Sequence, residues 1–212
     1  MPVIAALYVQ KGGIYYGLQG VDPWDAERDA RTYAGPWPVV AHPPCNRWCR
    51  FATGIEKTHG YKVGDDAGCF EAALDAVRTY GGVLEHPAGS LAWDRFELPK
   101  PQSTQGWTSD LTGIGASCYI EQGRYGHPMR KATWLYAWGV ELPSLRWGRQ
   151  IDSELQKFKW GHRADKTPQD RNRPRCDSEH SKTTAEFRDV LIGMARGVMS
   201  LSGERARCGD GV

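Results

Sequence analysis

Trp37-Pro38-Val39-Val40-Ala41-His42-Pro43-Pro44-Cys45, then an apolar-periodic stretch over 66–80, then Gly82-Val83-Leu84-Glu85-His86-Pro87, is the part of the sequence that decides the fold. The run to Ala41 is a buried-strand pattern. The two prolines stop it, because proline fixes φ and has no N–H for a ladder. Phe70, Ala73, Leu74 and Val77 recur at helical spacing, and Gly81-Gly82 closes the helix. A second strand over 82–84 follows at once. Strand, loop, helix, strand is the order of a βαβ unit and predicts a parallel pair. Both proline-containing loops then lie at the carboxyl ends of neighbouring strands, the edge at which open α/β sheets bind ligands.

Working outward, Ile4 to Val9 is apolar, Lys11-Gly12-Gly13 is a turn signal and Ile14-Tyr15-Tyr16 resumes, a pattern that predicts a hairpin. Asp22-Pro23 opens a turn and 25–31 reads as a short charged helix. Residues 94–114 read as loop, 117–121 as a strand, and 133–138 as an aromatic strand with Trp134, Tyr136 and Trp138 in the core. Thr183-x-x-Glu186 is a capping box opening a last helix, with Phe187, Val190, Leu191, Met194 and Val198 on one face. Residues 157–175 hold seven Lys or Arg against Asp165 and Asp170 and read as a mobile basic loop. The expectation is one α/β domain over 1–201 and a frayed tail over 202–212.

The 212 residues are 40% hydrophobic and 25% charged, a globular composition that excludes a disordered or fibrous chain. No apolar run is long enough to span a membrane. The apolar start, Met1 to Gln10, lacks the basic region of a secretory signal, so an intracellular protein is expected. The net charge of +2 does not by itself call for a nucleic-acid partner. The six cysteines, Cys45, Cys49, Cys69, Cys118, Cys176 and Cys208, contain no C-x-x-C pair and are expected as free thiols. His42, Cys45 and Cys49, with Cys176 and His180, form a possible but disfavoured zinc set.

Chemistry concentrates in the two loops. Cys45 is placed at the lip of a pocket and Glu85 beside it. That pairing suits nucleophilic catalysis on a pyrimidine: a thiolate adds to C6, a carboxyl group holds the N3 side of the ring, and C5 becomes carbanion-like. The attacking form is the thiolate, so the site is expected to lower the thiol's pKa. His42 and Arg47 are near in sequence. Arg124, Arg130 and Lys131, and in the basic stretch Lys157, Lys159, Arg163, Arg171, Arg173 and Arg175, are candidates for phosphate contact, with Phe158 and Trp160 available for stacking.

The segment VVAHPPCNRW resembles the Pro-Cys motif of DNA cytosine-5 methyltransferases. GVLEHPAGS resembles their Glu-Asn-Val segment, and GRYGHPMRKATWLYAWG their Tyr-Gly-x-Pro-Gln segment. The motifs come in the family's order, with 40 residues from Cys45 to Glu85. RDARTYAGPWPVVAHPPC and the YGH and ATWL elements also resemble small phage-type proteins of this kind. The resemblance implies a Rossmann-like, class I methyltransferase-like, mostly parallel sheet. It implies Cys45 as nucleophile, Glu85 on the ring, Pro44, His86 and His127 as supporting loop residues, S-adenosylmethionine as methyl donor and DNA as partner. It also implies the cytoplasm of a phage-infected or prophage-bearing host.

The chain departs from that family in three places. Only Lys11-Gly12-Gly13 stands where the family has its glycine-rich cofactor loop, and the cofactor residues stay unassigned. The 44 residues before Cys45 imply an N-terminal half of reduced size. Met129 replaces the Gln of the Pro-Gln motif. Two readings follow: a pyrimidine-C5 DNA-modifying enzyme, or a catalytically inactive phage DNA-binding or accessory protein that keeps the base-pocket loops without a methyl-donor site. Plainer roles remain beside these. Cys45 can be a small packed residue, Glu85 a cap or salt-bridge partner, and His86 and His127 donors to loop carbonyls.

Overall fold

A computed structural model describes residues 3–50, 52–54, 60–150 and 182–198. Its described residues form an α/β fold around one seven-stranded mixed sheet of order β2-β1-β3-β4-β7-β6-β5. The strands are β1 (Ile4–Leu7), β2 (Val21–Trp24), β3 (Val39–Ala41), β4 (Gly82–Pro87), β5 (Trp107–Ser109), β6 (Gly115–Glu121) and β7 (Ala132–Trp138). Strands β2, β1, β3 and β4 are mutually parallel, while β7, β6 and β5 each run antiparallel to their inner neighbour. The sheet is therefore parallel on one side only, which is less than the mostly parallel sheet expected.

The decisive unit forms with one change: Glu85, His86 and Pro87, read as a loop, are the last residues of β4 and pair with β7. Helix α1 (Cys69–Tyr80) crosses from β3 to β4 and buries Phe70, Ala73, Leu74, Ala76 and Val77. Each large apolar side chain buried this way contributes about 1.5–3 kcal/mol. The register sets Val40 beside Val83 and Ala41 beside Leu84. Period-two alternation then sorts the sheet into two faces. Ile4, Ala6, Val40 and Val83 face Tyr15, Phe187 and Leu191, the last two from α3 (Ala185–Arg196). Ala5, Leu7, Val39, Ala41 and Leu84 face α1 and Trp93 of the short helix α2 (Ala92–Arg95).

The N-terminal region differs from the expected hairpin. β2 lies parallel to β1, joined by the turns of 8–20. Asp22-Pro23, read as a turn, lies within β2, on the sheet's outer edge, where proline's missing N–H costs nothing. The expected charged helix reduces to turns and a 3-10 turn at Ala30–Thr32. The loop read over 94–114 contains the end of α2 and β5. The last helix is capped one residue later than read: Thr184 accepts from the Phe187 N–H and donates to the Tyr125 carbonyl at 2.6 Å. The tryptophans also sort differently. Trp37 is exposed, while Trp48 and Trp93 are core residues. Among the described residues, no helix is long and apolar enough to cross a membrane. The basic stretch 157–175 and the tail 202–212 lie outside the described residues.

Candidate functional site

The parallel pairing of β3 and β4 carries His42 and Glu85 to neighbouring positions, each one residue past the paired Ala41 and Leu84. Glu85 is 9% exposed. Its Oε2 lies 3.0 Å from His42 Nδ1, and its Oε1 accepts from Gln122 Nε2 at 3.0 Å. Thr133 Oγ1 stands at 3.5 Å from the same oxygen and accepts from Gln122 Nε2 at 3.0 Å. On its far side His42 Nε2 is 2.8 Å from the Tyr15 hydroxyl. Burial pushes the Glu85 pKa up. The His42 hydrogen bond and the charges of Lys131, His42 and His86 outweigh it and hold the carboxyl at about 2. The site thus contains an ionised, almost enclosed carboxylate.

Cys45 is exposed, three residues beyond His42 and past buried Pro43 and exposed Pro44. Its thiol is pushed up, first by the protein atoms that crowd it and next by the Glu85 charge; Lys131 pulls the other way. The expected lowering of the thiol pKa is absent, because burial and the Glu85 charge together outweigh Lys131. Burial pushes the Lys131 ammonium down, against the pull of Glu85 and Cys45. Lys131 sits at φ +39, a backbone region costly for a residue with a side chain. Its Nζ donates to the Lys182 carbonyl at 2.6 Å.

The remaining candidates divide. Consecutive strand residues point to opposite faces, so His86 leaves the Glu85 cluster for the α1 face, where it lies against Phe70 and Trp93. It is fully buried, and neither ring nitrogen has a well-formed hydrogen bond, although the Pro44 carbonyl bears on the ring. Burial pulls its pKa down to about 4, against the Glu85 charge and the Pro44 carbonyl. His127 stays in its own loop, where Nδ1 accepts from the Met129 N–H at 3.0 Å. Arg47 lies over the Tyr61 ring, 3.8 Å from its centroid. Arg124 and Arg130 reach the Arg149 and Gln150 carbonyls at 3.4 Å and so fasten the segment before 151. Lys157, Lys159, Arg163, Arg171, Arg173 and Arg175, like Cys176 and His180, lie outside the described residues.

Tyr15, Gln122 and Thr133 are the site residues that sequence reading passed over. Thr133 carried one faint signal, as the one small hydroxyl residue in an aromatic strand, opposite Pro87 and two places from Glu85's partner Leu135. Among the described residues no three His, Cys, Asp or Glu side chains group to hold a metal ion. His42 is bonded instead to Tyr15 and Glu85.

Chemically, the arrangement offers a carboxylate able to accept from a ligand's N–H edge and a thiol at the rim, with cations alongside. No family model matches the chain, and neither any curated protein nor any solved structure matches it.

Proposed function

We propose that the protein is a DNA-modifying enzyme acting at C5 of a pyrimidine, cytosine-5 methyltransferase-like, in which Cys45 adds to C6 and Glu85 holds the N3 side of the ring. The observation that carries this reading is that Cys45, in the loop after β3, and Glu85, within β4 one residue past its last pairing with β3, lie close enough for the carboxylate charge to bear on the thiol. The order β2-β1-β3-β4 supports a Rossmann-like reading of the parallel side, since strand order reverses between β1 and β3. Crevices at such a reversal, beyond the carboxyl ends of the strands, are where doubly wound sheets bind ligands.

In this mechanism the thiolate attacks C6 and the ring electrons move toward C5. A proton or another electrophile is taken up at C5. Loss of the original C5 hydrogen then lets the C6–S bond break and returns the thiolate. The raised thiol pKa fits a sequence in which the base binds first: the exocyclic amino group of a cytosine donates to Glu85, and the thiol then gives its proton to water and attacks C6.

S-adenosylmethionine is the methyl donor the resemblance implies, but the residues at the ends of β1 and β2 do not fit it well. Turns follow β1 where a glycine loop opening a helix is needed. Asp25 after β2 is already bonded by the Tyr16 hydroxyl and by the Glu27 and Arg28 N–H groups. These bonds favour the second reading, an inactive phage DNA-binding or accessory protein.

Hydrogen exchange at C5 separates the two, because it needs the thiol and no donor. A DNA oligonucleotide tritiated at cytosine C5 is expected to lose label to water with the wild-type protein and to keep it with Cys45→Ser. Salt-dependent DNA binding without exchange establishes the accessory reading. Exchange that persists in Cys45→Ser removes Cys45 from its role. A rise in melting temperature with millimolar S-adenosylmethionine adds the donor. Absence of DNA binding overturns both.

A further inference from the structure

Three side chains from three separate segments form one hydrogen-bonded chain: Tyr15 from the β1–β2 connection, His42 after β3, and Glu85 on β4. Each is nearly enclosed. Tyr15 is 3% exposed, and the His42 and Glu85 side chains are 13% and 11% exposed. The partners fix where the protons sit. An ionised carboxylate only accepts, so His42 Nδ1 carries the proton that bonds Glu85. In the neutral ring Nε2 is then an acceptor, and the Tyr15 hydroxyl donates to it. Turning the imidazole breaks both bonds at once.

We propose that Tyr15 and His42 are positioning residues for Glu85: the Tyr15 hydroxyl locks His42 in its Nδ1–H tautomer, and that N–H aims the carboxylate at the ring. Glu85 Oε1 is held independently by Gln122, so the two oxygens are fixed from opposite sides. The aim of the carboxylate therefore depends on the connection after β1, and not only on the strand that bears it.

Arg188 anchors that connection, donating to the Ile14 carbonyl at 2.8 Å. Among the described residues, the charges of Glu85, Arg188 and Asp189 bear on Tyr15, those of Lys131, His42 and His86 bear on Glu85, and Glu85 in turn bears on Cys45. A tyrosine hydroxyl acting through a histidine on a carboxylate resembles the way catalytic triads orient their middle residue, with the direction reversed.

The role in catalysis rests on the reading above, so the test has two arms. Nitrogen-15 NMR of the His42 ring reads the tautomer directly and needs no activity. The wild type is expected to show one Nδ1–H tautomer at neutral pH, and Tyr15→Phe a mixture of the two. An Nε2–H tautomer in the wild type, or no change in Tyr15→Phe, overturns the proposal.

Tritium release at C5 is the second arm. Tyr15→Phe is expected to slow it about tenfold, the effect of one lost hydrogen bond, with DNA affinity nearly unchanged and a fall of only a few degrees in melting temperature. His42→Gln, whose amide can donate in place of Nδ1–H, is expected to keep more exchange than His42→Leu. Equal losses in the two overturn the positioning role. If the wild type releases no tritium while the tautomer behaves as stated, the enzyme reading fails and the lock stands.

Discussion

His42 Nδ1 lies 3.0 Å from Glu85 Oε2, a bond between two parallel strands whose sequence positions are 43 apart. It is the contact through which the proline loop after β3 and the carboxylate on β4 become one site. It also accounts for a carboxyl that stays ionised although almost enclosed. Burial alone makes such a group a weaker acid. Here the His42 hydrogen bond and the nearby positive groups overcome it.

That balance predicts the acid stability of the fold. The Glu85 carboxyl titrates at about 2 when folded, against 4.5 ordinarily. Its contribution is complete above pH 4.5 and is lost as pH falls from 4.5 toward 2. A shift of this size corresponds to about 3 kcal/mol. Urea unfolding of wild type and Glu85→Gln across pH 2.5–7, a range chosen on the order of these pKa values, is expected to show the difference between the two proteins shrinking below pH 4.5. A constant difference would rule out the assigned ionisation.

Glu85 also holds the thiol back. Crowding and the carboxylate charge both raise the Cys45 pKa. Removing the charge in Glu85→Gln is expected to lower it, so that iodoacetamide alkylates Cys45 faster at a fixed pH near neutrality. Peptide mapping by mass spectrometry separates Cys45 from the partly buried Cys49 and Cys69. Slower or unchanged alkylation contradicts the coupling.

His86 sets a second pH window, above the first. Folded, its pKa is about 4; unfolded, 6.5. The unfolded chain takes up the proton first, so stability is complete above pH 6.5 and declines as pH falls toward 4. The ring sits unbonded between Phe70 and Trp93. His86→Leu is expected to be neutral or stabilising by about 1–2 kcal/mol at pH 7, since an unsatisfied buried polar group is removed. It is also expected to abolish the decline between 6.5 and 4. A loss of several kcal/mol at pH 7 would show that the imidazole is bonded after all.

The βαβ unit was legible because three local signals agreed: an apolar run ended by prolines, an apolar stripe at helical spacing, and a glycine stop. The N-terminal region was not. Ile14-Tyr15-Tyr16 is as β-prone as any strand, yet Tyr15 turns inward to reach His42, and the second strand is the segment carrying Asp22-Pro23, which reads as a turn. Cys45 and Glu85 were found by their positions after strands. Tyr15, Gln122 and Thr133 were missed because their partners are 11 to 48 residues away, and only Thr133 carried even a faint local signal. Basic residues read as phosphate contacts turned out, at Arg124 and Arg130, to bond backbone carbonyls.

Gly82 was read as part of a helix stop and as the start of a strand, and the sheet gives it a further task. It opens β4 at φ +136, directly beside Val39 of β3. A Cβ there would lie 2.0 Å from the Val39 carbonyl oxygen and 2.8 Å from its nitrogen. Both are backbone atoms of a central strand and cannot swing aside. Gly82→Ala must therefore push β3 from β4, and with it the ledge that brings His42 to Glu85. Gly68, the residue before α1, is the control: its φ is +77, but nothing lies within 4 Å of a Cβ there. Gly68→Ala is expected to cost only the left-handed strain, about 1–2 kcal/mol. Gly82→Ala is expected to cost at least about 2 kcal/mol more, on the scale of strong overpacking, and to return the Cys45 thiol toward its ordinary alkylation rate by separating it from the carboxylate. Equal melting temperatures for the two variants would mean that the β3–β4 pairing is looser than this register requires.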